Sequence, residues 1–105
     1  MISATASVPT GSGSKYLQQL CGHWSHKLAV EFDQDHGTVR FPRDSRGADW
    51  PGDAMLTLDA ADGALDTRLD ASSPEHLEAL KGVVAQHLDR FAFREAPLSF
   101  DWQPA

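Results

Sequence analysis

The sequence predicts a small α+β domain in which an antiparallel sheet carries two helices on one face. Apolar residues recur at helical spacing in two segments, YLQQLCGHW and SSPEHLEALKGVVAQHLDRF, and alternate with polar ones in four others. The dipeptide Asp62-Gly63 joins two of the alternating segments, and its residues suit the positive φ angles of a tight hairpin. With 105 residues the chain has room for one core, so residues 1–105 are expected to form a single domain.

The elements follow in order. SATASVPT is small and β-tolerant and reads as a first strand, and TGSGS after it offers N-caps to a helix. From about Ser14 to Lys27, Tyr16, Leu17, Leu20, Cys21 and Trp24 make one apolar stripe. The period then changes to two: Leu28, Val30 and Phe32 alternate with polar or small neighbours, DQDHG turns the chain, and Val39 and Phe41 alternate again. His36 and Gly37 fall in that turn. RDSRGADWPGD is a polar loop bearing Trp50, and MLTLDA and ALDTRLDA form the second hairpin. Ser73 is the expected N-cap of the second helix, with Pro74 at its first position and Leu77, Leu80, Val84, Leu88 and Phe91 as its stripe. Pro97 bars continuation, and LSFDW is a candidate terminal strand. The order β-α-β-β-β-β-α resembles the TATA-binding-protein-like topology, with Glu31, Asp33, Arg40, Asp59, Asp66, Arg68 and Asp70 on the outer sheet face.

Composition bounds the function. The net charge of −6 repels phosphate backbones and anionic lipid, and the basic residues are scattered, so nucleic acid is not an expected partner. No apolar run approaches the ~18 residues of a membrane span. The N-terminus lacks the basic start and apolar core of a secretory signal, and Cys21 is the lone cysteine, which together point to a cytoplasmic protein.

The candidate chemistry lies on the helix flanks. At about 100° per residue, His23 sits at the edge of the first helix's stripe and His26 about 60° further round. Cys21 lies on the opposite border, so it reads as a small core residue. On the second helix His87 lies within the stripe, with His76, Arg90 and Arg94 beside it. Three readings stand. Lys27, Arg90 and Arg94, with donors from His23, His26 and His87, could hold a carboxylate or phosphate. His23, His26 and His87, with a carboxylate from Glu95, could bind a transition metal such as zinc or iron. Alternatively, these groups form a structural network in which Arg90 and Arg94 pair with Asp89 or Glu95. In each case His23 and His87 are expected to be buried, and Asp59, Asp66 and Arg68 exposed. Ser25 and His26 diverge on a helix and make no nucleophile pair, and the Asp-rich turns lack the length and terminal Glu of a calcium loop.

CGHWSHK and HLDRFAFRE, with YLQQL before them, resemble an uncharacterised bacterial family known as domain of unknown function 2218, from roughly Ala4 to Glu95. Leu20, Cys21, His23, Trp24, Ser25, His26 and Lys27 match its first motif, with Gly22 where the family has a basic residue; His87, Leu88, Arg90, Phe91, Phe93, Arg94 and Glu95 match the second. The resemblance implies a short cytoplasmic protein; some members lie beside siderophore and iron-uptake functions, and some carry the label of a dihydroxy-heptenedioate aldolase. Aldolases of that class use a barrel of more than ~200 residues, which this length does not provide. The leading expectation is a domain that binds a small anionic ligand or an iron chelate between its helices. The alternatives are a lyase with a histidine acid or base, and an interaction module that only dimerises.

Overall fold

Six strands and two helices follow one another as β1 (Ile2–Pro9), α1 (Gly13–Trp24), β2 (Ala29–Phe32), β3 (His36–Phe41), β4 (Ala54–Ala61), β5 (Ala64–Ala71), α2 (Pro74–Phe91) and β6 (Gln103–Pro104). The computed structural model describes all 105 residues except the side chain of Arg46. The strands form one antiparallel sheet in the order β2-β3-β4-β5-β1-β6, and both helices cover one face of it. The α+β class and the element order are therefore those the sequence predicts. Gly63 takes φ +72° in the β4–β5 turn, a conformation that costs glycine nothing and a β-carbon residue a good deal.

Alternation decides what is buried. Ala4, Ala6 and Val8 of β1, Val39 and Phe41 of β3, Leu56 and Leu58 of β4, and Leu65 and Leu69 of β5 all point inward. Leu17, Leu20 and Cys21 of α1 and Leu77, Leu80, Val84 and Leu88 of α2 meet them. Each fully buried leucine contributes about 1.5–3 kcal/mol relative to exposure. Asp59, Asp66 and Arg68 face outward and are exposed. Asp59 and Asp66 stand directly opposite each other, a repulsive pair relieved at either side: His36 Nδ1 lies 2.6 Å from Asp59, and the Ser7 hydroxyl donates to Asp66 at 2.7 Å.

Four local expectations are corrected. His36 and Gly37 open β3 rather than lying in the turn, because the Asp33 carboxylate accepts the Asp35 and His36 N–H groups at 2.8 and 2.9 Å and completes the reversal before them. The first helix ends at Trp24, not Lys27: the Trp24 carbonyl accepts both the Lys27 and Leu28 N–H groups, and the Ser25 hydroxyl donates to the Gly22 carbonyl, so the chain tightens and swings into β2. Phe32 is 44% exposed, since β2 is an edge strand that α1 covers only in part. LSFDW is not a strand, because Leu98, Phe100 and Trp102 pack against the core, the last two stacked at 5.7 Å, and pairing with β1 begins only at Gln103.

The second helix is fixed at both ends. The Ser73 hydroxyl caps it by accepting the His76 N–H at 3.1 Å, with Pro74 in the first turn as predicted. Beyond its far end, the Glu95 carboxylate accepts the Thr10 hydroxyl at 2.9 Å and the Tyr16 hydroxyl, tying the exit of α2 to the entry of α1. That bond, followed by burial, raises the pKa of the Tyr16 phenol.

Gly37 lets α1 approach the sheet: a β-carbon there would lie 2.8 Å from the Cys21 sulfur and 3.2 Å from the Phe32 β-carbon. Gly37→Ala is expected to cost about 1–3 kcal/mol by overpacking, measured as a lower melting temperature. In a double-mutant cycle Cys21→Ala, which removes the clashing sulfur, should recover part of that loss; simple additivity would contradict the close approach.

Candidate functional site: a groove beside the second helix

The helices differ in length, and a groove follows from the difference. α1 has 12 residues and α2 has 18. Contacts between Tyr16 and Glu95, and between His23 and both His87 and Phe91, place α1 along the C-terminal part of α2. The N-terminal half of α2 runs on past the end of α1, and the space beside it is a groove of about 610 Å³. His76, Ala79, Leu80, Val83 and His87 line it from α2, a single helix face at spacings of three and four. His23, Trp24, Lys27 and Leu28 line it from the end of α1 and the link that follows. Phe41, Pro42, Ser45, Ala48 and Trp50, from the end of β3 and the loop after it, complete the wall.

Aromatic rings organise the two ends. At one, the Trp24 indole packs edge-on against Phe41 at 5.1 Å and lies 4.9 Å from the His87 ring, which in turn lies 5.6 Å from His23. The His87 Nδ1–H donates to the Val83 carbonyl at 2.7 Å, which fixes the ring's orientation. At the other end Trp50 stacks on His76, with centroids 4.5 Å apart and planes 7° from parallel. His76 is 1% exposed and pairs through Nδ1 with the Ser72 hydroxyl at 2.7 Å. Burial pulls its pKa below the ordinary 6.5. The loop holding Trp50 is braced on itself, with the Trp50 N–H on the Arg43 carbonyl and the Arg43 N–H on the Asp53 carboxylate.

Of the residues singled out in the sequence, the structure brings His23, Lys27 and His87 to the groove. His26, Arg90 and Arg94 do not line it. Arg94 lies beyond Phe91, where α2 ends, so helical spacing no longer sets its direction, and its guanidinium sits 5.7 Å from the Phe93 ring. The expected burial of His23 is corrected: His23 is exposed and His87 half-buried, because the border of α1's stripe faces the groove's mouth rather than the core. Glu95 is engaged by Thr10 and Tyr16 and is not a groove ligand, and the Asp89 carboxylate accepts the Leu98 N–H. Among the described residues neither Arg90 nor Arg94 forms an ion pair with them. No group of three or more His, Cys, Asp or Glu among the described residues could hold a metal ion. Cys21 is fully buried, and burial pushes its thiol up to about 11. His76, which helical spacing sets on the same side of α2 as His87, also lines the groove, and Trp50 is the partner that sequence spacing does not join to it. The available signal was the width of α2's apolar face, since Ala79 and Val83 extend it beyond the stripe that covers the sheet.

A second depression, of about 360 Å³, lies on the outer sheet face among Thr5, Ser7, Thr57, Asp59, Asp66 and Arg68. Its two carboxylates oppose an anion, whereas the first groove carries Lys27 and no acidic side chain. No helix among the described residues is long and apolar enough to cross a membrane.

The two shifted histidines should respond oppositely to pH. Folded His76 stays neutral where an unfolded histidine takes a proton, so its contribution to stability declines as pH falls below about 6.5. His36 is raised, first by its bond to Asp59, so its contribution is present at low pH and is lost as pH rises through its folded value; its exposure keeps that contribution small. Proton NMR titration should place His76 below and His36 above the ordinary range. Trp50→Ala should move His76 back toward 6.5, and a wild-type His76 titrating there would contradict its burial.

The sequence profile of an uncharacterised protein family conserved in bacteria, DUF2218, matches residues 5–103. No curated protein matches the chain. Among solved structures, the NMR structure of PA4090 from Pseudomonas aeruginosa is 31% identical with a TM-score of 0.75, over 100% of this chain and 98% of that one. With the profile spanning both helices, the sheet from Thr5 to Gln103 and every residue that lines the groove, the chain belongs to the bacterial family DUF2218.

Proposed function

We propose that the protein binds a small organic anion in the groove beside α2, with Lys27 and His23 meeting the charge and the walls meeting an apolar body. The observation that carries this reading is the position of Lys27: an ammonium at a largely apolar groove, with no ion-pair partner among the described residues. Charge-assisted hydrogen bonds from a cation beside low-dielectric walls are stronger than the same bonds in open water. Ligand pockets of this kind are mostly apolar with a few polar groups that set orientation. His87 forms the wall between the helices. His26, Arg90 and Arg94 lie outside the lining and have no part in this reading. An anionic iron chelate is compatible with the same groove, because it would bring its own donors.

Melting measurements with acetate, benzoate, hexanoate, citrate and ferric citrate test this. An anion held at a hundred times its Kd stabilises the native state by about 2.7 kcal/mol, a rise of roughly 10 °C or more for a domain of this size. Hexanoate or benzoate should raise the wild-type melting temperature, Lys27→Ala should abolish the rise, and Arg90→Ala should retain it. No rise with any anion, or equal loss in both variants, would contradict binding at the groove.

A further inference from the structure

The shape of the groove narrows the class of anion, and the inference rests on the anion-binding reading above. From His76 to His87 the lining face of α2 advances eleven residues, about 16 Å at 1.5 Å per residue. Among the described residues Lys27 is the one Lys, Arg, Asp or Glu side chain in the lining; its backbone N–H donates to the Trp24 carbonyl, and the Trp24 and His23 rings lie 4.9 and 5.6 Å from His87, which sets it toward the His87 end. The middle is aliphatic, with Ala79, Leu80 and Val83 along α2. Ala79 is exposed and has no side chain beyond its β-carbon, so that stretch of helix is open to an occupant. The other end is closed by the Trp50 ring, held flat on buried His76. A compact ring acid would fill one end only, and a dianion would drive its second charge into the aliphatic middle, where nothing offsets the desolvation.

The domain covers its other exposed apolar flank itself. On the far side of α2, Leu98 is held by Asp89, while Phe100 and Trp102 pack down against the core. No segment of the described chain lies in the groove in the same way, and a 610 Å³ channel with one cationic end matches a molecule with one anionic end. We propose that the ligand is a medium-chain aliphatic carboxylate of about ten carbons, a length set by the roughly 16 Å channel. Its carboxylate sits at Lys27 and His23, its methylenes lie along Ala79, Leu80 and Val83, and its methyl end abuts Trp50.

The test is a chain-length series, butyrate to tetradecanoate, titrated below micelle-forming concentrations and followed by calorimetry and tryptophan fluorescence. Affinity should rise about fourfold per methylene up to decanoate or dodecanoate and then level off, as the tail meets Trp50. Decanamide, which has the same tail and no charge, should bind at least tenfold more weakly. Ala79→Trp, at an exposed helix position, should keep the wild-type melting temperature while losing decanoate affinity more than tenfold. A flat series in which hexanoate or benzoate binds as well as decanoate would overturn the acyl-chain assignment and leave the anion reading standing. Equal binding of decanamide would overturn the head-group contact, and no binding by any carboxylate would overturn both readings.

Discussion

At Trp24 the first helix stops, and several features of the molecule depend on how. Its carbonyl takes the N–H groups of Lys27 and Leu28, which turns the chain toward β2 and leaves Lys27 at the edge of the space that α1 no longer fills. Its indole is buried, edge-on to Phe41 below and tilted against His87 above, so one side chain joins α1, β3 and α2. Truncating such a residue to alanine costs about 3–5 kcal/mol, much of a small domain's net stability. Here the loss would also remove part of the groove's wall and the ring that packs against His87.

The second helix explains why the groove exists at all. A helix that packs on a sheet needs one apolar stripe, and Leu77, Leu80, Val84 and Leu88 provide it. α2 is apolar over a wider arc than that. On one side the excess is covered by the chain's own C-terminal segment, anchored where the Leu98 N–H meets the Asp89 carboxylate. On the other side Ala79 and Val83 face the groove, bounded by Trp50 and Lys27. The polar bonds of the fold, Ser73 on His76 and Glu95 on Thr10 and Tyr16, secure the two ends of α2, so the open flank is held in place rather than left to fray.

Much of the fold was legible because local chemistry and tertiary packing agree. Ser73-Pro74 starts a helix by filling its orphan donors and pre-setting its first φ angle, and Asp62-Gly63 makes a hairpin turn that most other pairs would strain. Where they disagree, the sequence misleads. The helical period through CGHWSHK runs past Trp24, but the chain must reach β2 five residues later, and the wheel that joined Arg94 to Arg90 and His87 fails once α2 ends at Phe91. The candidate site was half legible for the same reason: His23, Lys27 and His87 sit near helix ends whose spacing can be counted. Trp50 lies on a loop, and only the sheet's register, which fixes where β3 and β4 release that loop, brings it over His76.

The central claim is that ligand binding occurs in the groove beside α2. Amide and side-chain chemical-shift mapping during a decanoate titration tests it most directly, because each surface of the domain reports separately. The account expects shifts concentrated at Trp24, Lys27, Trp50, Ala79, Val83 and His87, with Thr57, Asp66 and Arg68 on the outer sheet face unmoved. Shifts centred on the outer face, or on Arg90 and Arg94 with the groove residues silent, would contradict it.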